Sequence, residues 1–215
     1  MRKILLLFVF LAFKSWTQNK QPYELGVNVF NLYTKINPIG LPSDRDIKTE
    51  YCNGVFFRYD TNQFVFRAQV NYRVTNGSIE TPSGFSEFYS LQFNGTAYSM
   101  QLGFQKKLLE KKDWLYAFAD IGYSRKSEQG ISRGGWSGIS EQYVQKSNGL
   151  LLDLGIGSRF QLYRQIYFSP ELNYTSEIYH VDKTITPLSG GKFKEYRYYS
   201  FYLRPWLRCY LTFSF

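Results

Sequence analysis

The only histidine, His180, lies in the stretch His180-Val181-Asp182, and Ser176 and Ser189 are its nearest serines in sequence. A His–Ser pair would supply a base and a nucleophile. Neither spacing makes a motif, so His180 reads as a surface histidine at the start of a loop. A metal site needs clustered His, Cys or carboxylates, and a lone histidine does not provide one. Gly134-Gly135 has no strand–glycine loop–helix around it, so it reads as a flexible loop and not a phosphate cradle. No catalytic, cofactor-binding or metal-binding residue is assigned, no cofactor is expected, and the chain is not read as an enzyme.

Charges on the strands are more informative. Arg58, Arg67, Arg73, Arg159, Arg204 and Arg208 share an alternation phase with Asp120, Asp153 and Glu171, opposite to the apolar residues. If that phase faces an interior, the charges must be paired or hydrogen-bonded there. The first expectation is a salt-bridged plug. The second is a narrow anion-preferring channel, since the arginines outnumber the acids.

These residues are placed by strands of period two. Phe64, Phe66, Ala68, Val70, Tyr72 and Val74 alternate with Val65, Arg67, Gln69, Asn71 and Arg73. A run this long exceeds the ~5–6 residues of a soluble strand and fits the ~9–11 of a tilted membrane strand. The same pattern predicts strands at 23–33, 51–60, 64–74, up to 107, 114–124, 148–162, 166–176 and 198–215. In the strand at 114–124 both faces carry aromatics, and Asp120 fixes which one turns inward, because a carboxylate facing lipid is costly. The connections near Asp60, Lys111 and Arg164 are short. Those at 34–50, 75–86, 125–147 and 177–194 are long, and the third has room for a hairpin extending its flanking strands.

Composition agrees. Aromatic residues are 20% of the chain, with Tyr 19 and Phe 19, which suits two interfacial belts. Tyr23 and Tyr33, Tyr51 and Tyr59, and Phe64 and Tyr72 are read as belt pairs. Mean hydropathy is -0.35, too low for a helical bundle but compatible with a barrel whose every second strand residue faces a polar interior. Met1-Arg2-Lys3, the apolar run Ile4–Phe13 and Ser15-Trp16-Thr17 read as a signal peptide over 1–17. The barrel then occupies 18–215. Formal net charge is +9, and removing Arg2, Lys3 and Lys14 leaves about +6. An exported chain has no nucleic-acid partner. Its basic excess is spread over loops and can meet the phosphates of outer-membrane lipid and lipopolysaccharide. Cys52 is expected to face inward near the top and Cys209 outward near the bottom, so both are expected to be free.

Short turns at one end and long loops at the other are the plan of a membrane β-barrel. The chain's last strand, Tyr210-Leu211-Thr212-Phe213-Ser214-Phe215, is similar to the C-terminal signature of Gram-negative outer-membrane proteins. Together with Ser169-Pro170-Glu171-Leu172, Arg204-Pro205-Trp206 and a signal ending before Gln18, it resembles the porin-family outer-membrane β-barrel proteins of Bacteroidetes. That resemblance implies an OmpA- or OmpX-like barrel and names no substrate. The expectation is a monomeric, closed antiparallel transmembrane β-barrel of eight strands, ten being the alternative. It would be non-enzymatic, with long loops contacting an unknown extracellular ligand or protein partner. Rival readings are the channel, a lipid A-modifying enzyme, an accessory barrel of a secretion machine, and a lipocalin-like barrel with its apolar faces inward.

Overall fold

The structure is a computed structural model that describes residues 22–34, 47–61, 64–80, 89–109, 112–134 and 140–215. The expected signal over 1–17 lies outside the described residues. Nine strands form: β1 (Tyr23–Thr34), β2 (Ile47–Asp60), β3 (Val65–Glu80), β4 (Tyr89–Leu109), β5 (Lys112–Gly134), β6 (Ser140–Ser158), β7 (Phe160–Tyr163), β8 (Ile166–Pro187) and β9 (Lys194–Ser214).

Each strand pairs antiparallel with its neighbour, and β1 closes on β9 from Glu24↔Ser214 to Tyr33↔Trp206. The strands β6 and β7 are one stave interrupted at Arg159. The backbone N–H of Arg159 still donates to Trp114 O at 2.7 Å, and both β6 and β7 pair with β8. The result is a closed antiparallel β-barrel of eight staves, as the alternation predicts. Closure leaves the staves no free edge within the ring.

Alternation runs the expected way. Leu102, Ile121, Leu150 and Val70 are exposed on the exterior, whereas Arg67, Gln69, Gln101 and Asp120 are buried inside. Asp120, 1% exposed, confirms the inward face of β5. A lipocalin-like arrangement, which would turn Arg67 to solvent, is excluded.

The lumen packs because large inward side chains lie over glycines of adjacent strands. A Cβ on Gly157 would sit 2.6 Å from the Tyr116 ring, which occupies that space. Gly157→Val should therefore displace Tyr116 and cost about 1–3 kcal/mol by overpacking, seen as a lower unfolding midpoint in detergent.

Three expectations are corrected. First, much of the predicted long loops is strand. Residues 75–80, 125–134, 140–147, 177–187 and 194–197 continue the ladders in unbroken register. Polar residues interrupt their outward face (Asn76, Gln129, Gln142, Asp182), so the regular apolar alternation that marks the lower strands breaks down, while backbone pairing continues without it. Second, Tyr33 does not belong to an aromatic belt. A bulge between Asn28 and Phe30 inserts one residue against β9 and reverses the phase above it, so Tyr33 turns inward and stacks on Trp206 at 4.3 Å. Third, Cys52 is exposed, not inward. It lies opposite this bulge with φ 49, a left-handed conformation that breaks strand alternation. Both cysteines are free, as expected.

Candidate functional site

The interior holds three stacked ion clusters. Nearest the short turns, Glu24 meets Arg159 at 2.6 Å and Arg58 at 3.7 Å, and Thr212 Oγ1 donates to the same carboxylate at 3.2 Å. Arg159 also lies over the Tyr167 ring at 3.4 Å.

The middle cluster is the most enclosed. Arg67 donates to both oxygens of Glu171 at 2.8 Å each, and its Nε is 3.0 Å from Asp120 Oδ1. Tyr116 OH donates to Glu171 at 2.7 Å. The guanidinium is sandwiched between the rings of Phe118 at 3.9 Å and Phe56 at 5.1 Å. Forked donation plus stacking is what arginine offers and lysine does not. Just above, Arg208 and Gln101 both donate to Asp153 Oδ2 at 2.6 Å. Gln101 accepts from Gln69 at 2.5 Å, and Gln69 accepts from Tyr210 OH at 2.8 Å. This chain ties β3, β4, β6 and β9 together across the lumen.

The third cluster closes the end from which the strands extend. Arg73 and Tyr33 both donate to Glu50 at 3.0 Å. Lys126 and Arg204 approach Glu177 at 3.2 and 3.4 Å, and Lys126 lies 3.9 Å from the centre of the Tyr179 ring. A cavity of about 50 Å³ lies among Asn31, Asn53, Asn71 and Arg73, room for a few waters.

Every arginine assigned inward from the sequence has a carboxylate partner here. The apparent excess of arginine disappears, because Glu24, Glu50 and Glu177 join Asp120, Asp153 and Glu171. Glu24 was legible, being the residue between outward Tyr23 and Leu25. Glu50 and Glu177 fell in segments read as loops. Phe56, Tyr116, Tyr210, Gln69 and Gln101, which complete the packing, carry no charge to draw attention to them.

Around the exterior, an apolar band runs between two aromatic rims. At the turn end Tyr23 stacks on Tyr59 at 4.9 Å and on Phe215 at 6.0 Å, and Trp114 stacks on Phe160 at 6.5 Å. At the other end stand Tyr72, Tyr98 and Tyr123, then Leu150, Ile178 and Phe201, all exposed. Along β3 the exposed Phe64 and Tyr72 are eight residues apart, roughly 20 Å of height for a tilted strand. Beyond the second rim the sheet continues as a polar extension built from β3, β4, β5, β6, β8 and β9. On the outer face of β8, His180 is 3.7 Å from Asp182 and packs edge-on to Tyr199 at 5.3 Å. Ser176 is four residues down the same strand, about 13 Å away, too far for a base–nucleophile pair. No group of His, Cys, Asp and Glu among the described residues is arranged to hold a metal ion.

No protein-family model matches the chain, and no curated protein matches its sequence. Among solved structures, the attachment invasion locus protein Ail of Yersinia pestis is similar over 91% of this chain and 100% of its own, at TM-score 0.40 and 10% identity. The outer membrane protease OmpT of Escherichia coli is similar over 94% of this chain and 99% of its own, at TM-score 0.37 and 9% identity.

Proposed function

We propose that this chain is a monomeric outer-membrane anchor that carries a rigid polar sheet outside a Gram-negative cell and has no enzymatic activity of its own. The exterior band carries the reading. Met100, Leu102 and Ile121, each above 60% exposed, belong to the apolar band between two aromatic rims. A soluble protein does not leave so large a continuous apolar belt in water. A bilayer covers it, and the rims mark the two interfaces. The ring closes within one chain, so no second subunit is needed. Arg125 and Lys146, exposed just beyond the upper rim, stand where lipopolysaccharide phosphates would lie. The stretches Ser169-Pro170-Glu171-Leu172 and Arg204-Pro205-Trp206, which resemble the porin-family barrels of Bacteroidetes, support this reading.

The lumen acts as a stiffener in this reading. Its carboxylates and cations are paired, which favours a plug over a channel. Fractionation tests location: the protein should stay with outer membranes, need detergent for release, and migrate differently on gels before and after heating. Recovery as a soluble periplasmic protein would overturn the anchor reading. In planar bilayers the purified protein should give no large, steady conductance. A stable anion-selective current would put the channel first, with the same arginines lining a hydrated path.

A further inference from the structure

The outer face of the extension changes chemistry with height. Along β5 the outward residues run Ile121, Tyr123, Arg125, Ser127 and Gln129, from the apolar band through the rim to a cation and then an amide. Cross-strand pairing extends the amide level sideways. Asn76 of β3 lies beside Asn94 of β4, and Asn94 beside Gln129 of β5. All three are exposed and share the phase of Tyr72, Tyr98 and Tyr123, so they face outward over the lipid. Asn76 is four residues beyond Tyr72 and Asn94 four beyond Tyr98, roughly 10 Å for a tilted strand.

These amides stand in an open hollow of about 630 Å³, lined among the described residues by Asn76, Ser78, Gln92, Asn94, Gln129 and Gln142 and by no charged side chain. Among the described residues, none of the three amides in the row has a side-chain hydrogen-bond partner. Each carries an acceptor oxygen and a donor NH2 group fixed in one plane. Neighbouring strands lie about 4.8 Å apart, so the row spans about 10 Å. A phosphate or carboxylate would find no cation in the hollow. An extended peptide would find no backbone edge at β4 or β5, which are paired on both sides here. Sugar hydroxyls, each both donor and acceptor, match a row of uncharged amides.

We propose that the row Asn76–Asn94–Gln129 binds the neutral sugars of a glycolipid in the surrounding leaflet, the core oligosaccharide of lipopolysaccharide. The order of side chains selects this occupant. Such a lipid presents acyl chains, then phosphates, then hydroxyl-rich sugar. Strand β5 meets them in turn with Ile121, Arg125 and Gln129. The row lies on the lipid side of the sheet and above the phosphate level, where the sugar passes. The site operates only if the barrel is the outer-membrane protein proposed above.

Retention of two lipids tests it. The protein is placed in vesicles holding equal amounts of bare lipid A and core-bearing lipopolysaccharide, then extracted in detergent. It should carry the core-bearing form about tenfold in excess, the effect of a few net hydrogen bonds. The contacts are uncharged, so the preference should survive high salt. In NMR spectra of the protein in nanodiscs, the side-chain NH2 signals of Asn94 and Gln129 should move when core-bearing lipopolysaccharide replaces lipid A. The paired substitutions Asn94→Leu and Gln129→Met remove the amides at similar volume. They should abolish the preference and leave lipid A retention unchanged, with heat-modifiable migration showing that the variant is folded. A preference that high salt removes would belong to Arg125 and Lys146 and would overturn the proposal. So would equal retention of the two lipids, or NH2 signals that do not respond. NH2 groups already shielded from water in lipid A nanodiscs would mean that the chain itself covers the row, with the same consequence. All of these outcomes concern the sugar alone, whereas the membrane reading falls only if the protein fractionates as soluble.

Discussion

Replacing Arg67 with leucine should destabilise the barrel by about 3–5 kcal/mol, the range for breaking a buried ion pair from one side. Arg67 bridges Glu171 and Asp120, with the side chains of all three at most 1% exposed. Without it, two carboxylates sit in the lumen with Tyr116 OH as the main remaining donor to Glu171. The site must then admit water or open. Glu171→Gln should cost much less, because Arg67 keeps Asp120 at 3.0 Å. Replacing Arg67, Asp120 and Glu171 together with apolar residues of similar volume should recover most of the loss, since the desolvation penalty goes with the charges. Urea unfolding in detergent measures all three variants. Equal midpoints for Arg67→Leu and wild type would mean that the lumen is hydrated and the plug is not closed.

The second large effect is on the outside. Val70 is exposed midway along the outward face of β3, opposite Val55 and Met100 on the flanking strands. Val70→Arg should cost roughly 2–4 kcal/mol in a bilayer, the penalty for a cation at the midplane of a barrel's lipid face. Gln69→Arg points the other way, into the network of Gln101 and Tyr210. Its cost is steric and local, and it should be the same in bilayer and in detergent. The Val70→Arg penalty should shrink in thin-chain detergent, where the charge can reach water. Equal penalties at the two positions, unchanged by the solvent, would contradict the assignment of faces.

Period two was enough to read the barrel, because a lipid-facing strand must be apolar at every second residue over its full width. The lumen arginines and Asp120 were legible for the same reason: a charge on the opposite phase has only one place to point. Legibility ended where lipid no longer constrains the outer face. Residues 177–187 are strand, yet outward His180, Asp182 and Thr184 are polar and look like loop. Glu177 was lost with them. It ended too at the bulge beside Val29, where one inserted residue turned Tyr33 from a rim aromatic into part of the plug. No composition signal marks that insertion. It follows from how β1 must register with β9 and β2 together.

The most direct test of the account is the accessibility of spin labels along β4 in lipid vesicles, with Cys52 and Cys209 first replaced by serine. Labels at Met100, Leu102 and Phe104 should be open to dissolved oxygen and closed to a water-soluble nickel chelate. Labels at Gln101 and Gln105 should be shielded from both. Nickel access at the first three positions, or accessibility without alternation, would contradict a barrel that turns its apolar face to lipid and fills its own interior.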